Sequence, residues 1–211
     1  MIYASKENQD RFVLAVLDSK QGGTYLEIGS SEPVTNNNTY TLETYYGWRG
    51  VGVEIEPHFV NQYRQQRTNL CVCEDATKID YRRLLADYRL GPIVDYLQLD
   101  VDPAAVTFQT LQLIPFDTTR FRVITYEHDY WQGGEQERLA SRQLLMTLGY
   151  QLVIADVLHR DLSFEDWYIH PELVEESRWR CFAASNQPMD PASIDTTMNN
   201  RLIEKIGRAH V

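Results

Sequence analysis

Apolar runs and turn signals alternate along this chain with the two periods of secondary structure. Apolar positions recur every three to four residues between Gln9 and Ser19, while Thr24 to Ile28 is a short run suited to a strand. Continued along the chain, the pattern predicts helices at 39–46, 58–66, 81–88, 105–111 and 135–148. It predicts strands at 50–55, 70–73, 94–99, 122–127 and 150–155 between them. A parallel connection needs a crossover long enough to hold a helix, so this alternation builds a mostly parallel sheet with helices on both faces. The expected fold class is α/β, doubly wound and Rossmann-like, with a seven-stranded sheet of which the pattern places six strands. The patterned domain spans residues 1–189, and residues 190–211 form a polar tail with a short amphipathic helix candidate at Asn200 to Ile206.

Length and charge narrow the function. At 211 residues the chain suits one domain with a substantial core. A formal net charge of -10 argues against a nucleic-acid partner, which calls for a basic surface. No apolar run reaches membrane-spanning length and the N-terminus lacks a signal-peptide pattern, so a cytoplasmic protein without a membrane partner is expected. Its oligomeric state is left open, a homo-oligomer included. The three cysteines cannot all pair within one chain, and Cys71 and Cys73 read as small strand residues.

Candidate chemistry sits where the predicted strands end. In open parallel sheets, ligands bind at the carboxyl ends of the strands. Here those ends read Glu27-Ile-Gly29-Ser30, then Glu54, then Glu74-Asp75-Ala76, Asp100-Val-Asp102 and Glu127-His128-Asp129. A small-residue turn at Gly29 lets a ligand approach backbone N–H groups, and a carboxylate at Glu54 can accept from both hydroxyls of a ribose. The first turn lacks the G-x-G-x-x-G spacing that grips a pyrophosphate, which disfavours a nicotinamide-dependent oxidoreductase. A binding module that has lost its chemistry is a further alternative.

With these segments the chain resembles the class I S-adenosylmethionine-dependent methyltransferases, and is most similar to their FkbM-type members. The resemblance is carried by Leu26-Glu-Ile-Gly29, Gly47-Trp-Arg-Gly-Val-Gly-Val-Glu54, Glu74-Asp75-Ala76, Asp95-Tyr-Leu-Gln-Leu-Asp100, Val123-Ile-Thr-Tyr-Glu-His-Asp129 and Phe164-Glu-Asp-Trp-Tyr-Ile-His-Pro171, over roughly residues 20–175. It implies that Glu27, Gly29 and Ser30 lie against the methionine part of S-adenosylmethionine. Glu54 would hold the ribose, Asp75 and Ala76 the adenine, and Asp100 would stand nearest the transferring methyl group. The first loop, Gly29-Ser-Ser-Glu-Pro33, and Asp102-Pro103 depart from the usual pattern.

Methyl transfer to a hydroxyl needs alignment and a proton acceptor, for which Asp100, His128 and Asp129 are the candidates. Asp100, Glu127, His128 and Asp129 are also a conceivable Mg2+ set, since a hard cation favours oxygen ligands. Trp131, Glu165, Asp166, Trp167 and His170 combine aromatic rings with hydrogen-bonding groups and are the candidate walls of a pocket for a small polyhydroxylated acceptor such as a sugar. The expected activity is O-methylation of that acceptor.

Overall fold

The computed structural model describes residues 3–183 and residue 196. The tail helix candidate at 200–206 lies outside the described residues. In chain order the elements are α1 (Gln9–Val16), β1 (Thr24–Ile28), α2 (Tyr40–Tyr46), β2 (Arg49–Glu54), α3 (Pro57–Gln66), β3 (Leu70–Cys73), α4 (Tyr81–Asp87), β4 (Ile93–Leu99), α5 (Ala104–Leu113), β5 (Arg120–Glu127), α6 (Glu135–Thr147), β6 (Gln151–His159), β7 (Leu162–Ile169) and α7 (Glu176–Trp179).

The seven strands form one sheet in the order β3-β2-β1-β4-β5-β7-β6. Strands β1 to β5 are parallel, and β7 enters antiparallel between β5 and β6. Winding reverses between β1 and β4, which opens a crevice above their carboxyl ends.

Both faces of the sheet are covered, as the near-continuous apolar runs of β1 and β4 require. Phe12, Val13 and Val16 of α1 and Leu42 of α2 pack on Tyr25, Tyr96 and Trp167. On the opposite face Leu84, Leu85, Leu111 and Leu145 of α4, α5 and α6 pack on Leu26, Leu97 and Ile124. Strand residues one apart thus enter different cores, which becomes decisive at the site.

Strand β7 corrects the sequence reading, which placed Phe164 to His170 beyond the last strand and toward an acceptor. The segment instead folds back on β6 through Arg160 and Asp161, between the paired residues His159 and Leu162. Both turn residues have positive φ, 49° and 66°, the geometry of a tight two-residue hairpin. Such turns usually carry Asn or Gly, so Arg-Asp gives little signal. Two buried acids inside the strand obscure its alternation further.

Candidate functional site

The backbone of β1 turns sharply at Gly29, whose φ is +77°; a β-carbon there would lie 1.6 Å from the carbonyl oxygen of Asp100. The Asp100 amide in turn donates to the carbonyl of Ile28 at 3.0 Å. The ends of β1 and β4 are therefore in backbone contact, and a cleft of about 620 Å³ opens beside them. Gly29, Ser31, Glu54, Asp75, Ala76 and Asp100 are among the residues that line it.

Glu54 is fixed at the end of β2 by two amides. One carboxylate oxygen accepts from Ser31 N–H at 2.7 Å and the other from Glu56 N–H at 2.8 Å. Each oxygen keeps acceptor capacity for a ligand hydroxyl. Asp75 caps the short 3-10 turn Ala76–Lys78 and accepts from both the amide and the hydroxyl of Thr77. Those hydrogen bonds, with Lys78 nearby, hold its carboxyl below the usual range.

Two residues expected in this cleft stand behind it. Glu27 points into the core under the first loop, where it accepts from Tyr63 Oη at 2.9 Å, Thr39 Oγ1 at 3.0 Å and Asn37 Nδ2 at 3.3 Å. Burial pushes its carboxyl upward against the opposing charge of Arg67. Arg67 ties the same loop down through the Pro33 carbonyl, Asn37 and Glu43. Ser30 is also buried, with its hydroxyl over Gly52 and donating to the Glu27 carbonyl, so Ser31 supplies the cleft surface instead.

At the ends of β4 and β5 the acids gather. Leu99 pairs with Tyr126, which makes Asp100 and Glu127 the next neighbours across the two strands. Burial, with Asp102 and Asp129 nearby, pushes Asp100 up to about 6. Burial and the Asp100 charge raise Glu127 well above the usual carboxylate range. A second cavity of about 350 Å³ is lined by Lys6, Asp102, Glu127, Asp129, Trp131 and Phe164. Asp102 lines both spaces, so cleft and cavity adjoin there. Trp131 is about half exposed, and its indole donates to Asp129 at 3.1 Å.

The expected metal set does not converge. His128 is fully buried on the other face of β5 from Glu127, with Nε2 3.5 Å from Asp166 Oδ1 and 3.7 Å from Asp156 Oδ1. Among the described residues, His128, Asp156 and Asp166 are the one group of three whose ligand atoms all lie within 4.8 Å of one another. The oxygens facing the imidazole are already engaged: Arg142 grips Asp166 through two bonds of 2.7 Å, and Arg138 and Ser163 bond Asp156 at 2.7 Å and 2.8 Å. Two carboxylates neutralised by two guanidinium groups form a buried ion-pair network, poor in charge for a cation. His128 is thereby also removed from the acceptor cavity, so it cannot serve there as the proton acceptor.

Of the proposed acceptor walls, Trp131 alone lines the cavity. Trp167 is buried against Phe12, and Asp166 belongs to the Arg142 network. His170 is carried to the opposite end of the sheet because β7 runs antiparallel; its amide donates to Arg122 at the start of β5. Glu165 lies beneath the cavity, next to Glu127 in register, and accepts from Gln9 at 2.9 Å and Trp167 at 2.7 Å. Lys6 and Ser31 were not anticipated. No motif marks Lys6, and only the folding of the N-terminal segment over the sheet end reveals it.

No family model matches the chain, and no curated protein matches it in sequence. Solved structures do. A candidate rRNA methylase from Clostridium thermocellum shares 13% identity at a TM-score of 0.55, over 80% of this chain and 97% of its own. A candidate methyltransferase from Streptococcus mutans, solved with SAH, shares 13% identity at 0.53, over 80% and 99%. An rRNA methylase from Streptococcus thermophilus shares 11% identity at 0.51, over 81% and 98%. The chain thus has the Rossmann-like fold of these methyltransferases, with a mostly parallel sheet and one antiparallel hairpin. Among the described residues no helix is long and apolar enough to cross a membrane.

Proposed function

We propose that this chain is an S-adenosylmethionine-dependent methyltransferase acting on an oxygen of a small polyhydroxylated acceptor. The observation that carries the reading is the charge of the cleft. Six acids line it, Glu54, Glu56, Glu74, Asp75, Asp100 and Asp102, and among the described residues no lysine or arginine does. A cationic sulfonium suits such a surface, whereas a dinucleotide's pyrophosphate would be repelled. The donor set fits in kind as well: Glu54 offers acceptors to ribose hydroxyls, Asp75 stands where an exocyclic amine can donate, and Asp100 lines the cleft beside Asp102, which also borders the acceptor cavity. The cofactor would supply the methyl group; the protein would bind, orient and deprotonate.

The acceptor side supports a small, neutral or cationic polar molecule. Glu127 and Asp129 can accept from hydroxyls, and the half-exposed Trp131 ring offers a stacking face. An RNA acceptor of the kind named for two of the structural neighbours would bring phosphates against Asp102, Glu127 and Asp129, although Lys6 and Arg160 also line this cavity. The FkbM-type assignment rests on the strand-end motifs alone.

Calorimetric titration with S-adenosylhomocysteine and, separately, NAD tests the cofactor class. Saturable binding of the first and none of the second is expected. Binding of NAD alone would overturn the reading. With the cofactor established, transfer of a labelled methyl group to simple sugars and polyols, and its absence on short RNA, tests the acceptor.

A further inference from the structure

Buried acids in this protein follow two patterns. Glu43 is paired with Arg67, Asp95 with Lys20 and Arg122, Asp156 with Arg138, and Asp166 with Arg142. The buried Asp129 and the half-buried Asp100 and Glu127 have no ion pair with lysine or arginine among the described residues, and neither has the exposed Asp102. Glu165, directly across from Glu127, has none either and is bonded only to neutral donors. Asp100, Glu127 and Glu165 thus stand side by side on three adjacent strands, on one face of the sheet, with like charge and no counter-ion. Such a row cannot ionise fully.

The wall position of the first two gives the row a use. Asp100 faces the cofactor cleft, Glu127 faces the acceptor cavity, and the two are next neighbours across the ends of β4 and β5. Resting on the function proposed above, we propose that Asp100 and Glu127 share one proton in the free protein, that binding of the cationic methyl donor expels it, and that the pair then takes the acceptor's proton as the methyl group moves. A cation brought to the Asp100 side replaces the missing counter-ion and favours the fully ionised pair. On transfer, the acceptor oxygen bonds to the methyl carbon, the sulfur–carbon bond breaks with its electrons passing to sulfur, and the hydroxyl proton goes to the carboxylates. The positive charge that had expelled the proton vanishes in the same step, so the pair is again disposed to hold one.

The other charged groups facing the pair are Asp102 and Asp129 from the loops after β4 and β5, Glu165 from β7 and Lys6 from the N-terminal segment. His159, bound to Glu7, and Arg160 border the cavity at the hairpin. Lys6 is exposed and Arg160 lies at the surface, so neither substitutes for a buried counter-ion.

Comparing the two forms of the cofactor tests this without an acceptor. Affinities of S-adenosylmethionine and S-adenosylhomocysteine are measured by calorimetry from about pH 5 to about pH 7, in buffers of different ionisation enthalpy. The expected result is a methionine-form Kd that falls by up to about tenfold per pH unit, with net proton release, while the homocysteine form changes by about twofold or less. Glu127→Gln, and independently Asp100→Asn, flatten the pH dependence of the first curve, with circular dichroism and a cooperative thermal melt as the check that each variant is folded. Parallel curves for the two ligands on the wild-type protein overturn this inference alone. Failure of both ligands to bind the folded protein overturns the proposed function and the inference together.

Discussion

A β-carbon on Gly29 would fall 1.6 Å from the carbonyl oxygen of Asp100, so the last turn of β1 and the end of β4 touch through backbone alone. Gly29→Ala must therefore push apart the two strands between which the cleft opens, besides placing a side chain at a φ of +77°. The expected cost is about 2–3 kcal/mol of stability and at least about tenfold in S-adenosylhomocysteine affinity. Gly22→Ala is the control: its φ is +62° but a β-carbon there meets nothing within 4 Å, so only about 1 kcal/mol is expected. Denaturant melts of both variants decide the matter, and equal losses would show that the contact with Asp100 is not what requires glycine.

Glu165 is buried without a counter-ion, and burial pushes its carboxyl up to about 8. A folded value above the unfolded one means the neutral form is favoured by folding. This contribution is present below about pH 4 and is lost progressively as pH rises toward 8. Glu165→Gln keeps an acceptor for Gln9 and Trp167 but does not ionise. It should be more stable than wild type at pH 8 by about 1–3 kcal/mol and nearly equal at pH 5, read from melting temperatures at the two pH values.

Asp166 shows the opposite sign. Burial favours its neutral form, yet the bonds from Arg142 and the nearness of His128 outweigh that and hold the carboxyl below its usual range. The stability this provides is present at neutral pH and fades as pH falls below about 4. Arg142→Met leaves Asp166 buried without its guanidinium, and a loss of about 3–5 kcal/mol at pH 7 is expected. The deficit should narrow toward pH 3, where Asp166 of the variant can be neutral; a deficit independent of pH would assign the loss to packing.

Glu54 receives one amide on each carboxylate oxygen. In Glu54→Gln the side-chain NH2 must face one of those N–H donors or turn away, so the group can no longer serve both the turn and a ribose. Affinity for S-adenosylhomocysteine should fall about tenfold to a hundredfold, or about 1–3 kcal/mol, in calorimetric titration. Unchanged affinity in a folded variant would remove Glu54 from the cofactor site.

The alternation of strands and helices was legible because it follows from periodicity, and the acids Glu54, Asp75 and Asp100 were legible because a parallel sheet delivers the end of each strand to one edge. The hairpin at Arg160 and Asp161 was not, since its turn lacks glycine and its strand carries paired acids whose partners are distant in sequence. Arg142 lies on α6, 24 residues before Asp166. Without that pairing in view, Asp166 reads as a free carboxylate awaiting a ligand.

What the sequence by itself determined is the fold class and the edge of the sheet at which chemistry gathers. Which residues at that edge share a site was decided by the tertiary structure, because successive side chains of a strand point to opposite faces. Glu127 and His128 are neighbours in the chain, yet Glu127 lines the acceptor cavity with Asp102 while His128 is buried beside Asp166. Glu165 and Asp166 divide in the same way. The antiparallel course of β7 then carried His170 to the far end of the sheet, and the N-terminal segment brought Lys6 to the near one.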